Sequence, residues 1–142
     1  MATRRDVLIL IGAAGAATVR FGHAAAAAPP VIEVLAMAHW PVQRALKPVR
    51  DILGKYDGRV RVVETDIEST EGEKRAKSVG LRGHIPIVIL IDGNKSFKRA
   101  DGTSVEFVNF PTAAGNPMGL NGAWTIADFE AALRAALGEQ GR

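Results

Sequence analysis

A chain of 142 residues with 47% hydrophobic content is long enough to form one small domain with its own core. It contains no cysteine, which excludes a disulfide framework, a thiolate metal site and every reaction that needs a thiolate. The formal net charge of +3 is too weak, and Lys and Arg too dispersed, for a nucleic-acid partner to be expected.

The N-terminus does not read as part of the fold. Arg4, Arg5 and Asp6 precede thirteen apolar or small residues at 7–19, and an alanine run follows at 24–28. A charged start, an apolar middle and a small-residue end describe a secretory signal, and 7–19 is too short to span a bilayer. The expected division is a signal peptide at 1–28 and a domain at 29–142, with cleavage after Ala27. The paired arginines resemble the twin-arginine signal, which implies a protein carried out already folded; an ordinary secretion signal carrying two arginines is the alternative. Removing 1–28 takes away Arg4, Arg5, Arg20 and Asp6 and lowers the formal charge from +3 to +1. The expectation is a nearly neutral, periplasmic or otherwise exported monomer with no stable membrane insertion after cleavage.

In the mature chain, Val31-Ile32-Glu33-Val34-Leu35-Ala36-Met37 reads as a central strand buried on both faces. Val42, Ala45, Leu46, Val49, Leu53 and Tyr56 then follow at helical spacing. Pro41 suits the first turn of that helix, and Pro48 inside it should bend the axis. Asp57-Gly58 marks a turn, and 60–66 alternates as a second central strand. Thr70 with Glu73 reads as a capping box for a short helix at 71–79, whose Lys74, Arg75 and Lys77 form a solvated face. Gly80 is placed to end that helix, and Pro86 opens the apolar strand Ile87-Val88-Ile89-Leu90-Ile91.

Two arrangements fit residues 92–110. In one, 95–99 is the next strand and 105–110 an added edge strand. In the other, Asp92-Gly93-Asn94 is a bulge in a long hairpin that turns at Asp101-Gly102, and 105–110 is the last strand; the stronger β sequence of 105–110 favours this second form. Residues 111–124 are rich in Gly, Asn and Pro and exceed the usual connection of about 4 to 6 residues, which marks them as functional or unstructured. Thr125, with Asp128 three residues on, caps a final helix that presents Ile126, Phe129, Leu133 and Leu137 on one face.

The run V-G-L-R-G-H-I-P-I-V-I-L-I-D-G at 79–93 and the kinking Pro48 resemble the thioredoxin family, with His84 as an insertion. The resemblance covers about 31–137. It implies an α/β, thioredoxin-like three-layer fold, a central mixed sheet with helices on both faces, and a cis-proline at Pro86. Matching Pro48 to the family's proline puts the two catalytic cysteines on Trp40 and Gln43; matching the family's tryptophan to Trp40 shifts the register by one. Neither alignment finds a sulfur, so thiol-disulfide chemistry is excluded and no other catalysis is supported: no G-x-S-x-G elbow, no phosphate loop, and only Glu71 and Glu73 as paired carboxylates at a helix start.

In the family the loop after the first strand, the turn before the proline and the loop before the last helix meet at one end of the sheet. That brings together His39, Trp40, Pro41, His84, Ile85, Pro86, Met118 and Trp124 as a groove for an extended peptide or protein partner. A cis Pro86 would turn the Ile85 backbone outward for strand pairing, with Trp40, Met118 and Trp124 as apolar walls. No cofactor is expected. One alternative is a copper site on His39 and His84 with Met37 or Met118 nearby; the other is a vestigial groove on a scaffold.

Overall fold

The alternation of side chains along one strand decides how the sheet is covered. A computed structural model describes residues 26–139 apart from Pro117. The signal-peptide reading of 1–25 lies outside the described residues, while 26–29 are exposed and without regular structure. In chain order the elements are β1 (Val31–Ala36), α1 (Trp40–Ala45), α2 (Lys47–Lys55), β2 (Arg61–Asp66), α3 (Thr70–Ser78), β3 (Ile87–Ile91), β4 (Ser96–Lys98), β5 (Ser104–Glu106) and α4 (Ile126–Ala136). They form a mixed α/β structure whose main sheet has the order β2-β1-β3, with β1 parallel to β2 and antiparallel to β3.

Successive strand residues point to opposite faces, so odd and even positions meet different helices. Glu33 on β1 accepts two hydrogen bonds from Arg75 of α3, at 2.8 and 2.6 Å. Glu64 on β2 accepts two from Arg50 of α2, both at 2.9 Å. Helix α3 therefore lies over the odd positions and α2 over the even ones, and α4 packs beside α2 and on β3. Arg75 is thus tied to the sheet, where the sequence suggested a solvated face. In β3, Ile87, Val88, Ile89 and Leu90 are fully buried, and each such side chain contributes about 1.5 to 3 kcal/mol of burial.

Three sequence expectations change. β2 is an edge strand and not a central one, and most of it is exposed, including Val62 and Val63. Its Arg61, Glu64 and Asp66 suit that place, since charge on an edge discourages pairing with other chains. The cap of α3 is Ser69 rather than Thr70: its hydroxyl accepts from Gly72 N–H at 3.0 Å and donates to Asp66 O at 2.6 Å. Gly72 is required there, because a Cβ would sit 2.1 Å from Asp66 O. Third, the described residues contain no cis peptide bond, so Pro86 is trans. The cis expectation came from the resemblance alone, whereas an X–Pro bond favours trans by about 0.5 to 1 kcal/mol unless its surroundings dictate otherwise.

The helix predicted across 42–56 divides where Pro48 dictates. α1 ends at Ala45, and α2 restarts at Lys47 with Pro48 in its first turn. Proline has no N–H to give to the carbonyl of Arg44, four residues back, so that turn opens.

The turn at Asp101-Gly102 and the pairing of 105–110 follow the second hairpin arrangement, but Asp92-Gly93-Asn94 is a turn and not the bulge expected there. β4 and β5 pair from Ser96↔Glu106 to Lys98↔Ser104 around Gly102, and the same arm then runs on beside β3. There Ile89 N–H donates to Phe107 O at 2.9 Å and Asn109 N–H to Ile87 O at 2.8 Å. Asp92 and Gly93, at φ 49 and 79, make a tight turn of their own in which Ile91 and Asn94 exchange both backbone bonds, the geometry of a two-residue hairpin loop.

Phe107 is the centre of an aromatic cluster, edge-on to Trp124 at 5.5 Å and to Phe129 at 6.1 Å. Thr125 and Asp128 form the expected capping box of α4. Asp128 also accepts from Arg99 Nε at 2.8 Å and Nη2 at 2.7 Å, and Arg99 Nη2 reaches Ala123 O at 3.1 Å. One guanidinium thereby fastens the β4–β5 turn to the start of the last helix.

Candidate functional site

Four chain segments converge at the end of the sheet where β1 and β2 finish and β3 begins. Met37 N–H donates to Pro86 O at 3.0 Å, Ile67 N–H to Ala36 O at 3.1 Å, and the strand continuing β5 ends beside Ile87. The loops carrying His39 and Trp40, Glu68, His84 and residues 111–124 all leave from this end. These loops share one end of the sheet, and the residues singled out on them divide into different roles.

Trp40 is 69% exposed at the first turn of α1, and the Arg44 guanidinium lies 5.5 Å from its ring centroid. An i, i+4 pair on a helix shares one face, which puts the cation over the indole. Arg44 also lines a cleft, a partly open space of about 360 Å³. One wall is Arg44, Ala45 and Pro48, at the turn that proline opens; the other is residues 111–115 with Ile126. The lining is mainly apolar, with Arg44 as its charged member. Ala113 in the loop wall has φ 69, a left-handed conformation that alanine adopts at a cost.

The loop is held from both sides. Phe110 N–H donates to Leu120 O at 3.0 Å, Gly122 N–H to Phe110 O at 2.8 Å, and Thr112 N–H to Trp124 O at 2.7 Å. Gly122 has no room for a side chain, since a Cβ would lie 2.2 Å from Val108 O.

Trp124 does not line a groove. It is fully buried against Phe107, and its indole N–H donates to Asn109 O at 3.2 Å. Met118 and Ile85 are half-buried and pack against the core, Pro86 is buried, Pro41 is half-buried and His84 is exposed. With Pro86 trans, the outward-turned Ile85 backbone that the groove reading required is not the feature that carries this site. Gln43, one position matched to a family cysteine, braces the loop: it donates to Met37 O at 2.7 Å and accepts from Arg50 at 2.7 Å.

For the copper alternative, His39 Nε2 lies 3.1 Å from Glu68 Oε2, and Met37 is buried with 1% exposure. No group of three or more His, Cys, Asp or Glu side chains suited to a metal gathers among the described residues. Sequence reasoning missed Arg44 and Pro48 as a cleft wall; it marked 111–124 as a functional or unstructured loop without singling out 111–115. The i, i+4 spacing of Trp40 and Arg44 was a usable signal; the meeting of Pro48 with Pro111 was not, since it depends on tertiary packing. No protein-family model, curated protein or solved structure matches the chain.

Proposed function

We propose that this chain is an exported, thioredoxin-like domain that works without thiol-disulfide chemistry and binds a partner polypeptide at the end of its sheet. The fold part of this reading is supported by the parallel β1–β2 unit joined through helices, the antiparallel β3, the further antiparallel strand at 107–109 and the final helix over the sheet. The export part rests on Arg4, Arg5 and the apolar and alanine-rich stretch after them.

The observation that carries the binding part is Trp40, 69% exposed and in contact with Arg44, which itself lines an apolar cleft. An exposed tryptophan contributes little to the core, whereas at an interface it is a frequent anchor whose truncation costs about 2 kcal/mol or more. The expected result for Trp40→Ala is a melting temperature close to that of the parent and loss of partner capture from a periplasmic extract. Capture that survives the substitution, or a large fall in melting temperature with it, would overturn the reading.

A further inference from the structure

Five arginines in the described residues meet a carboxylate: Arg50, Arg59, Arg75, Arg99 and Arg134. Arg44 has no such partner among the described residues, and it is the one arginine that lines the cleft between Pro48 and residues 111–115 while also meeting the Trp40 ring. The surfaces around it are apolar: Ala45, Pro48, Pro111, Ala114 and Ile126. Arg44 is exposed, so a carboxylate brought to it makes a charge-assisted pair at a solvated surface, and the apolar wall beside it supplies the rest of the contact. The opposite wall includes strained Ala113, and strain of this kind is characteristically held where a ligand is received. The volume suits one or two apolar side chains, and the indole of Trp40 extends the contact outward from the same arginine.

We infer that the cleft takes an apolar polypeptide segment that carries an acidic side chain, the apolar residues filling the space between Pro48 and Pro111 and the carboxylate pairing with Arg44. The inference rests on the binding reading and specifies the chemistry of the partner. Arg44 sets which segments fit, and the apolar walls set how deeply they seat.

The test uses two short peptides blocked at both ends, Leu-Leu-Asp-Leu-Leu and its Asn counterpart, titrated into the mature protein and followed by backbone amide NMR. The Asp peptide is expected to shift the amides of residues 44–47, 112–115 and 126, and to bind about two- to fivefold more tightly than the Asn peptide, the advantage of one exposed charge pair. Arg44→Gln should reduce the Asp peptide to the affinity of the Asn peptide, and Arg44→Lys should restore part of the difference. Equal binding of the two peptides at the cleft, or a preference for Asp that survives Arg44→Gln, would overturn the assignment of the carboxylate while leaving the binding reading intact. Failure of both peptides to shift the cleft amides would overturn the inference as well, and the Trp40 capture result then decides the binding reading separately.

Discussion

Replacing Trp124 with alanine is expected to destabilise the domain by about 4 kcal/mol, the usual cost of truncating a fully buried tryptophan. The side chain is fully buried, it meets Phe107 edge-on at 5.5 Å, and its N–H is matched to Asn109 O. Truncation would open a cavity between the sheet and α4 and leave the Asn109 carbonyl without that donor. A small domain has about 5 to 15 kcal/mol of stability in total, so this one change brings it close to unfolding. Urea unfolding of the variant beside Trp40→Ala gives a direct contrast between the two tryptophans. A loss below about 1 kcal/mol for Trp124→Ala would show that the aromatic cluster is not part of the core.

The second large effect is at Asp128. Its side chain is 11% exposed and holds both Arg99 and the Thr125 cap. The Arg99 hydrogen bonds lower the Asp128 pKa from 3.8 to about 2, against the opposing effect of burial. Because the folded state holds the proton less well than the unfolded chain, the stabilisation is fully present above about pH 4. It is lost as the pH falls toward 2. Asp128→Asn should therefore cost about 2 kcal/mol at neutral pH, through loss of the charged hydrogen bonds and a weakened cap. It should also flatten the acid limb of the stability curve, because the variant has no proton to take up there. A variant with the parent's stability at pH 7 and an unchanged slope between pH 4 and 2 would contradict this account.

Local chemistry was readable where it is decided locally. The apolar run of β3, the break at Pro48 and the Thr125–Asp128 cap each depend on residues within a few positions, and each is present. β2 was misplaced to the centre because Val60, Val62 and Val63 suit any strand, and only its neighbours determine whether it is an edge. Trp124 was assigned to a groove for a comparable reason: a tryptophan at the end of a long loop carries no mark of whether Phe107 will cover it. The cis form of Pro86 was carried over from a resemblance, and no residue in 79–93 by itself demands it. The Arg99–Asp128 tie spans 29 positions and has no periodic signature. The end of the sheet where the loops meet was foreseeable from topology, whereas the cleft there depends on which surfaces face each other.

The position of β1 has a consequence for the order of folding. Its partner positions are far downstream, with Val31 paired to Arg61, thirty residues away, and Ile32 to Ile91, fifty-nine away. The β4–β5 hairpin pairs Ser96 with Glu106 over ten. Long loops must close before such pairs are rewarded, so the hairpin is expected to form early and the strand at the centre of the sheet late. In pulse-labelled hydrogen exchange during refolding, amides of Phe97 and Val105 should be protected before those of Val34 and Leu35; simultaneous protection would show a single concerted step. A chain made from its N-terminus thus makes β1, the strand that has longest to wait, before every other described strand, and its sheet cannot close until residue 91 has been synthesised.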